Sequence, residues 1–312
     1  MFPRVLPLTL LAALLSAAFC LAELPDLDAY WDYSDPAATE MRFRELLEDS
    51  KWSGETDFHF EIRSQIARTL GLRQSFDEAH ALLDSLETQL STSSPKAAMR
   101  YHLERGRTLN SSGKPDESKI HFLEAYKIGV GIGEDPLSVD AAHMMGIVEQ
   151  GAASLEWNER AIALAKESKD PKANRWQGSL LNNTGWTYHD LGEYEKALAM
   201  FSDALVFREQ QGNPVSIRIA NCCIARCYRS LGWYQEALAA QRTLLTELEE
   251  QNESDGYVFE EIGECLLAVC HTAEARPYLQ KAYDLLSQDA WMSTNEGERL
   301  ARLKRIAEGA KE

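Results

Sequence analysis

One helical pattern recurs along this 312-residue chain at intervals of 36 to 43 residues, and that period constrains the fold more than any other feature. It is clearest around the stretch NNTGWTYHDLGEYEKALAMFSDALVFREQQGNP, residues 182–214. Leu181, Thr184, Gly185 and Tyr188 share one helix face, a Leu191-Gly192 turn follows, and Tyr194, Ala197, Phe201, Ala204 and Leu205 line the next helix. Counting Gly178 as the first position, the eighth is Gly185, the eleventh Tyr188, the fifteenth Gly192, the twentieth Ala197, the twenty-fourth Phe201 and the twenty-seventh Ala204. Related units start at Phe60 (Ala67, Leu70, Ala79, Leu83), Met99 (Gly106, Leu109, Gly113, Ser118, Phe122, Ala125), Arg218 (Ala225, Tyr228, Ala237, Leu245) and Gly256 (Gly263, Leu266, Ala275, Leu279, Ala282). A degenerate unit lies at 135–174, where the turn region EQGAASLEW breaks the pattern. Such units bury their second face only by stacking, so the chain is an array.

These positions resemble the tetratricopeptide repeat, a 34-residue helix pair, and Asn183 and Tyr194 fit its sixth and seventeenth positions. The resemblance implies an all-α fold, an α-solenoid of antiparallel helix pairs wound as a right-handed superhelix. Small residues at positions 8 and 20 let the paired helices approach while larger ones fill the space around them. Every spacing exceeds 34, so helices or connections are lengthened, with stop signals at STSSP, GIGEDP, SKDP and QQGNP. About six repeats are expected over 60–293, with an N-terminal capping region over 23–59 and a C-terminal capping helix over 294–312. The first cap is read from the amphipathic stretch 35–51, with Met41, Phe43, Leu46 and Leu47 for burial, and the second from Leu300, Leu303, Ile306 and Ala307.

Residues 1–22 read differently. A single charge at Arg4 precedes an apolar run, and Cys20-Leu21-Ala22 places small residues before a cleavage point. A signal peptide is expected, with export to a periplasm or the extracellular space and no membrane span in the mature chain; a retained anchor is the alternative. Lys and Arg number 32 against 49 Asp and Glu, a net charge of −17 that argues against nucleic acid and anionic lipid as partners. Removing Arg4 leaves 31 against 49. Five cysteines follow the leader (Cys222, Cys223, Cys227, Cys265, Cys270), an odd set that leaves at least one thiol outside any intrachain pairing. The seven histidines form no metal-ligand spacing, and no nucleophile elbow or phosphate-cradling glycine loop occurs, so neither a cofactor nor a catalytic residue is expected.

In this repeat superfamily the first helices line a concave groove through positions 2, 5, 6, 9, 12 and 13. Carried over residue by residue, the groove candidates are Asn182, Asn183, Trp186 and His189 in the fourth unit. Arg226 and Arg229 come from the fifth, Glu260 from the sixth, and Arg100 and Arg107 from the second. Some members hold a peptide carboxylate with Lys at position 5 and Asn at positions 6 and 9; here only Asn183 fits, position 5 being Asn182 and position 9 Trp186. The resemblance implies a non-enzymatic scaffold or adaptor that binds a peptide or protein segment through a basic, aromatic groove on an acidic body. Alternatives are a structural subunit of a cell-envelope assembly, or a metal or redox sensor using the Cys and His content.

Overall fold

The computed structural model describes residues 24–309. The expected signal peptide lies outside the described residues. All regular structure among the described residues is helical. A 3-10 turn (Leu27–Tyr30) and α1 (Pro36–Glu48) precede the array. Three hairpins follow: α2 (Thr56–Leu72) with α3 (Phe76–Glu87), α4 (Pro95–Ser111) with α5 (Pro115–Ile132), and α6 (Asp135–Val148) with α7 (Gly151–Glu167). A one-turn α8 (Pro171–Asn174) separates these from α9 (Gln177–Asp190) with α10 (Tyr194–Gln211), α11 (Pro214–Ser230) with α12 (Tyr234–Glu250), and α13 (Gly256–Ala268) with α14 (Thr272–Leu286). The chain closes with α15 (Ala290–Asn295) and α16 (Gly297–Ala307). Most packing is between consecutive helices, and α2 on α4, α7 on α9 and α14 on α16 join neighbouring units, as a solenoid requires. The helix starts are written locally: proline opens α4, α5 and α11, while Ser94 and Asn213 accept hydrogen bonds from the backbone amides of Ala97 and Ser216.

Within each hairpin the two helices meet where a small residue faces a large one sixteen positions on. Gly106 meets Phe122, Gly185 meets Phe201 and Gly263 meets Leu279; a Cβ on Gly185 would lie 2.5 Å from the Phe201 ring. Ala67 with Leu83, and Ala225 with Gln241, hold the same buried positions in the first and fifth hairpins. The third hairpin departs from the rule: Gly146 meets Asn158 only twelve residues on, and Ser154 Oγ donates to the Gly146 carbonyl at 2.6 Å. Its turn is one helical turn shorter, which is why EQGAASLEW did not fit. The fifteenth position needs left-handed backbone. Gly113, Gly192 and Gly232 supply it with φ of 84°, 76° and 80°, and Gln74 and Cys270 adopt it at 62° without glycine's freedom.

The ends depart in detail from the expected caps. Phe43 and Leu46 are buried, but Met41 is 61% exposed, because the apolar stripe of α1 runs through Thr39, Phe43 and Leu46 and Met41 lies on the other side. The C-terminal segment is two helices rather than one, divided at Glu296; Leu300, Leu303 and Ile306 are buried against the last hairpin.

Candidate functional site

The first helices of the hairpins line a groove carrying two clefts. One, of about 430 Å³, is formed by α9, α11, α13 and α16. The other, of about 470 Å³, is formed by α2, α4, α6, α8 and α9 beneath residues 28–33. They meet at α9, which lends Ser179 to the second and Asn182 and Trp186 to the first.

Charge along the groove is arranged as a ladder between neighbouring helices. Arg100 on α4 donates to Glu61 on α2 at 2.9 Å. Arg107 on α4 is gripped by Glu104 and by Asp140 on α6. Arg226 and Arg229 on α11 both bond Glu261 on α13, Arg226 once at 2.8 Å and Arg229 through a fork at 2.7 and 3.1 Å. Glu260 takes both hydrogen bonds of an Arg299 fork from α16, at 2.7 and 2.6 Å, and Glu264 pairs with Arg302. The rule is geometric: position 9 of one first helix reaches position 6 of the next, as in Arg107 with Asp140 and Arg226 with Glu261. Burial works against the Arg229 charge, but the hydrogen bonds to Glu261 and the charges of Glu261 and Glu264 together outweigh burial and raise its pKa.

The groove is therefore not the basic strip expected from sequence. Its arginines face carboxylates on the adjacent helix and are largely neutralised. Arg107 is absent from both large clefts, and Glu260 is buried under Arg299. Asn183 is exposed beside the first cleft rather than in it. Residues that sequence reasoning missed include Arg218, Asp255 and Arg299. Arg299 was legible only as part of a cap, yet α16 continues the groove face as a seventh first helix.

The ladder breaks at α9. From position 5 to position 12 its groove side chains are neutral, with Asp190 exposed at the end of the helix: Asn182 Oδ1 accepts from Cys223 Sγ at 3.6 Å, and His189 Nε2 lies 2.8 Å from Ser230 Oγ. Trp186 packs edge-on against Phe201 and His189 and lies beneath the Arg226 guanidinium, 5.6 Å from its centre. Burial, and then the nearby Arg226, lowers the His189 pKa. With no ion pair to fill it, this step opens into the first cleft. Trp186, Ile219, Tyr257 and Cys222 form its apolar wall, and Arg218, Arg226, Arg299, Asp255 and Glu261 its polar groups. Arg226 Nε is buried and has no hydrogen-bond partner among the described residues.

All five cysteines among the described residues are free thiols. Burial pushes Cys222 and Cys265 up to about 12 and Cys223 and Cys227 up to about 11, so they behave as small apolar residues rather than nucleophiles. Cys227 donates to the Tyr194 carbonyl at 3.1 Å. Among the described residues no group of three His, Cys, Asp or Glu side chains is placed to hold a metal ion, and no described helix is long and apolar enough to cross a membrane.

The tetratricopeptide repeat model matches residues 178–210, the segment around α9 and α10. No curated protein matches the chain in sequence. Solved structures share the fold. The apo form of RapI is 14% identical, with 85% of this chain and 76% of that one covered at a TM-score of 0.68. The apo form of the quorum sensor NprR from B. thuringiensis is 17% identical over 91% and 81% of the two chains, TM-score 0.64. NprR in complex with its cognate peptide NprX is 18% identical over 90% and 82%, TM-score 0.53. The fold is thus a tetratricopeptide-like helical solenoid.

Proposed function

We propose that this protein is an exported, non-enzymatic scaffold that captures a peptide or extended protein segment in its groove, seated in the cleft between α9, α11 and α13. One observation carries the reading. Where the ion-pair ladder stops, a cleft of about 430 Å³ combines an apolar wall with Arg226, whose buried Nε has no hydrogen-bond partner among the described residues. Concave, mostly apolar sites with a few convergent polar groups are where ligands bind. An unmade hydrogen bond at a buried guanidinium is costly until an acceptor arrives. A segment with an apolar side chain for Trp186 and Ile219, and a carbonyl or carboxylate for Arg226, satisfies both. The peptide complex of the similarly folded NprR is consistent with this use of the groove. High thiol pKa values at Cys222, Cys223, Cys227 and Cys265 favour a packing role for these four over redox or metal sensing. Export rests on the apolar leader at residues 1–22, and N-terminal sequencing of the mature chain tests it.

Ile219→Asp and Arg226→Ala test the site. Ile219 is 46% exposed, and without Arg226 the Glu261 carboxylate keeps the Arg229 fork, so both variants should fold. Crosslinking and pull-down from the native compartment should lose the partner with each variant. Unchanged capture by both would remove this cleft from consideration. Trp186→Ala is a poorer test, because Trp186 also packs on Phe201.

A further inference from the structure

The other half of the groove is covered by the chain itself. Residues 26–33, DLDAYWDY, cross it as a strap with one 3-10 turn. Leu27 is buried against the first hairpin. Asp26 and Asp28 accept hydrogen bonds from Lys172 on α8 at 2.6 and 3.1 Å, and Asp28 lies 3.6 Å from Arg100 on α4. Trp31 Nε1 donates to Gln65 Oε1 on α2 at 2.9 Å, and the Arg68 guanidinium lies over the Trp31 and Tyr33 rings at 5.0 and 5.3 Å. The strap thus touches α2, α4 and α8 together. Lys172 exists to receive it only because α8 is inserted where the repeat spacing is longest.

Two properties distinguish this seat from ordinary core. First, its ionic contacts to Lys172 are exposed: the Asp26 and Asp28 side chains are each 51% accessible and Lys172 38%, so each of these pairs contributes little and weakens with salt. Second, space remains beneath it. The cleft of about 470 Å³ is bounded by Asp28 and Tyr33 of the strap and by Arg100, Lys172 and Arg175, with Leu137 and Trp176 as apolar floor. Arg175 is exposed and has no ion pair among the described residues. The groove carboxylates there, Glu104 and Asp140, are already held by Arg107. Without the strap's aspartates Arg100 keeps only Glu61, while Lys172 and Arg175 have no carboxylate partner among the described residues, which leaves a cationic, aromatic-binding surface on a chain of net charge −17.

We propose that the N-terminal half of the groove is a docking site for an extended acidic segment bearing aromatic side chains, occupied in cis by residues 26–33 and exchanged for a partner segment of the same chemistry. The strap shows what the surface takes: aspartates on Lys172 and Arg100, and an aromatic ring on Arg68. A cis occupant lowers the apparent affinity for a partner by the fraction of molecules in which the site is open. Weakening the strap therefore raises that affinity. This inference stands apart from the Trp186 cleft, and Ile219→Asp serves as a control that leaves it unaltered.

The test uses the full chain, its Asp26→Asn/Asp28→Asn variant, and a labelled synthetic peptide of sequence LPDLDAYWDYSD, followed by fluorescence anisotropy at low salt. Hydrogen exchange over residues 27–33 reports strap opening. Faster exchange there and peptide affinity at least about tenfold above wild type are expected from an occupied site made available. Adding Lys172→Ala and Arg175→Ala, or replacing the peptide's aspartates by asparagine, should reverse the gain. Three results overturn the proposal: a strap that stays equally protected in the variant, a peptide bound no better than by wild type, or equal binding of the asparagine peptide. Dimerisation of the variant by exchange of straps between copies also overturns it, since the occupant would then be a second copy. Asp28→Asn alone, which removes contacts to both Lys172 and Arg100, carries the same expectation if the double variant melts early.

Discussion

Removing Arg229 should destabilise the array more than removing Arg226, although both arginines bond the same carboxylate. Glu261 is 2% exposed and accepts three hydrogen bonds, two from the Arg229 fork and one from Arg226. Charge-assisted bonds contribute roughly 1.5–3 kcal/mol each, and a buried carboxylate stripped of partners costs more than the bonds alone. Both arginine side chains are partly exposed, 30% for Arg226 and 24% for Arg229, so water replaces part of what is lost. Arg229→Ala leaves Glu261 one bond and is expected to cost about 2–3 kcal/mol; Arg226→Ala leaves it the fork and should cost about 1 kcal/mol. In a Glu261→Gln background the neutral acceptor removes most of the penalty, giving a coupling energy of about 1–2 kcal/mol between Arg229 and Glu261. Urea unfolding followed by far-UV circular dichroism measures all four corners of the cycle. Equal costs for the two arginines, with no coupling to Glu261, would refute the ladder as a packing device.

Other consequences are as specific. Gly185→Ala pushes a methyl group into the Phe201 ring and should cost about 1–3 kcal/mol by overpacking, with Phe201→Leu in the same chain restoring part of it. Cys270→Gly and Gln74→Gly relieve left-handed backbone at the fifteenth repeat position, and each should raise the urea midpoint by about 0.5–1 kcal/mol equivalent. His102 and His121 meet through their Nδ1 atoms at 3.0 Å, and burial, then His102, then Arg105 lower His121 from 6.5 to about 4. Because the unfolded chain takes up protons first, stability should fall as pH drops from about 6.5 towards about 4 and then level off for this group. Lowered values at His80, His102, His143 and His189 act in the same direction. Urea midpoints at pH 7.5 and 5 check this, and His121→Gln should flatten the difference.

The helix pairs were legible because their cause is local. A small residue and a large one sixteen apart, a glycine at the turn and a proline just inside a helix start act within one hairpin, so the sequence carries them directly. The same positions supplied the groove candidates. Its electrostatics were not legible, since an arginine at position 9 is basic or neutral according to a carboxylate some thirty-five residues away, as with Arg226 and Glu261. Periodicity also could not show that α16 extends the groove, that Met41 faces solvent, or that Gly146 meets Asn158 a turn early. Least of all could it show the strap, where Asp26 and Lys172 lie 146 residues apart. By itself the sequence determined the repeat, because the repeat is built from contacts inside each unit. The tertiary structure alone decided which charges neutralise one another, where the ladder stops, and which half of the groove the chain covers, because each depends on how successive hairpins are stacked.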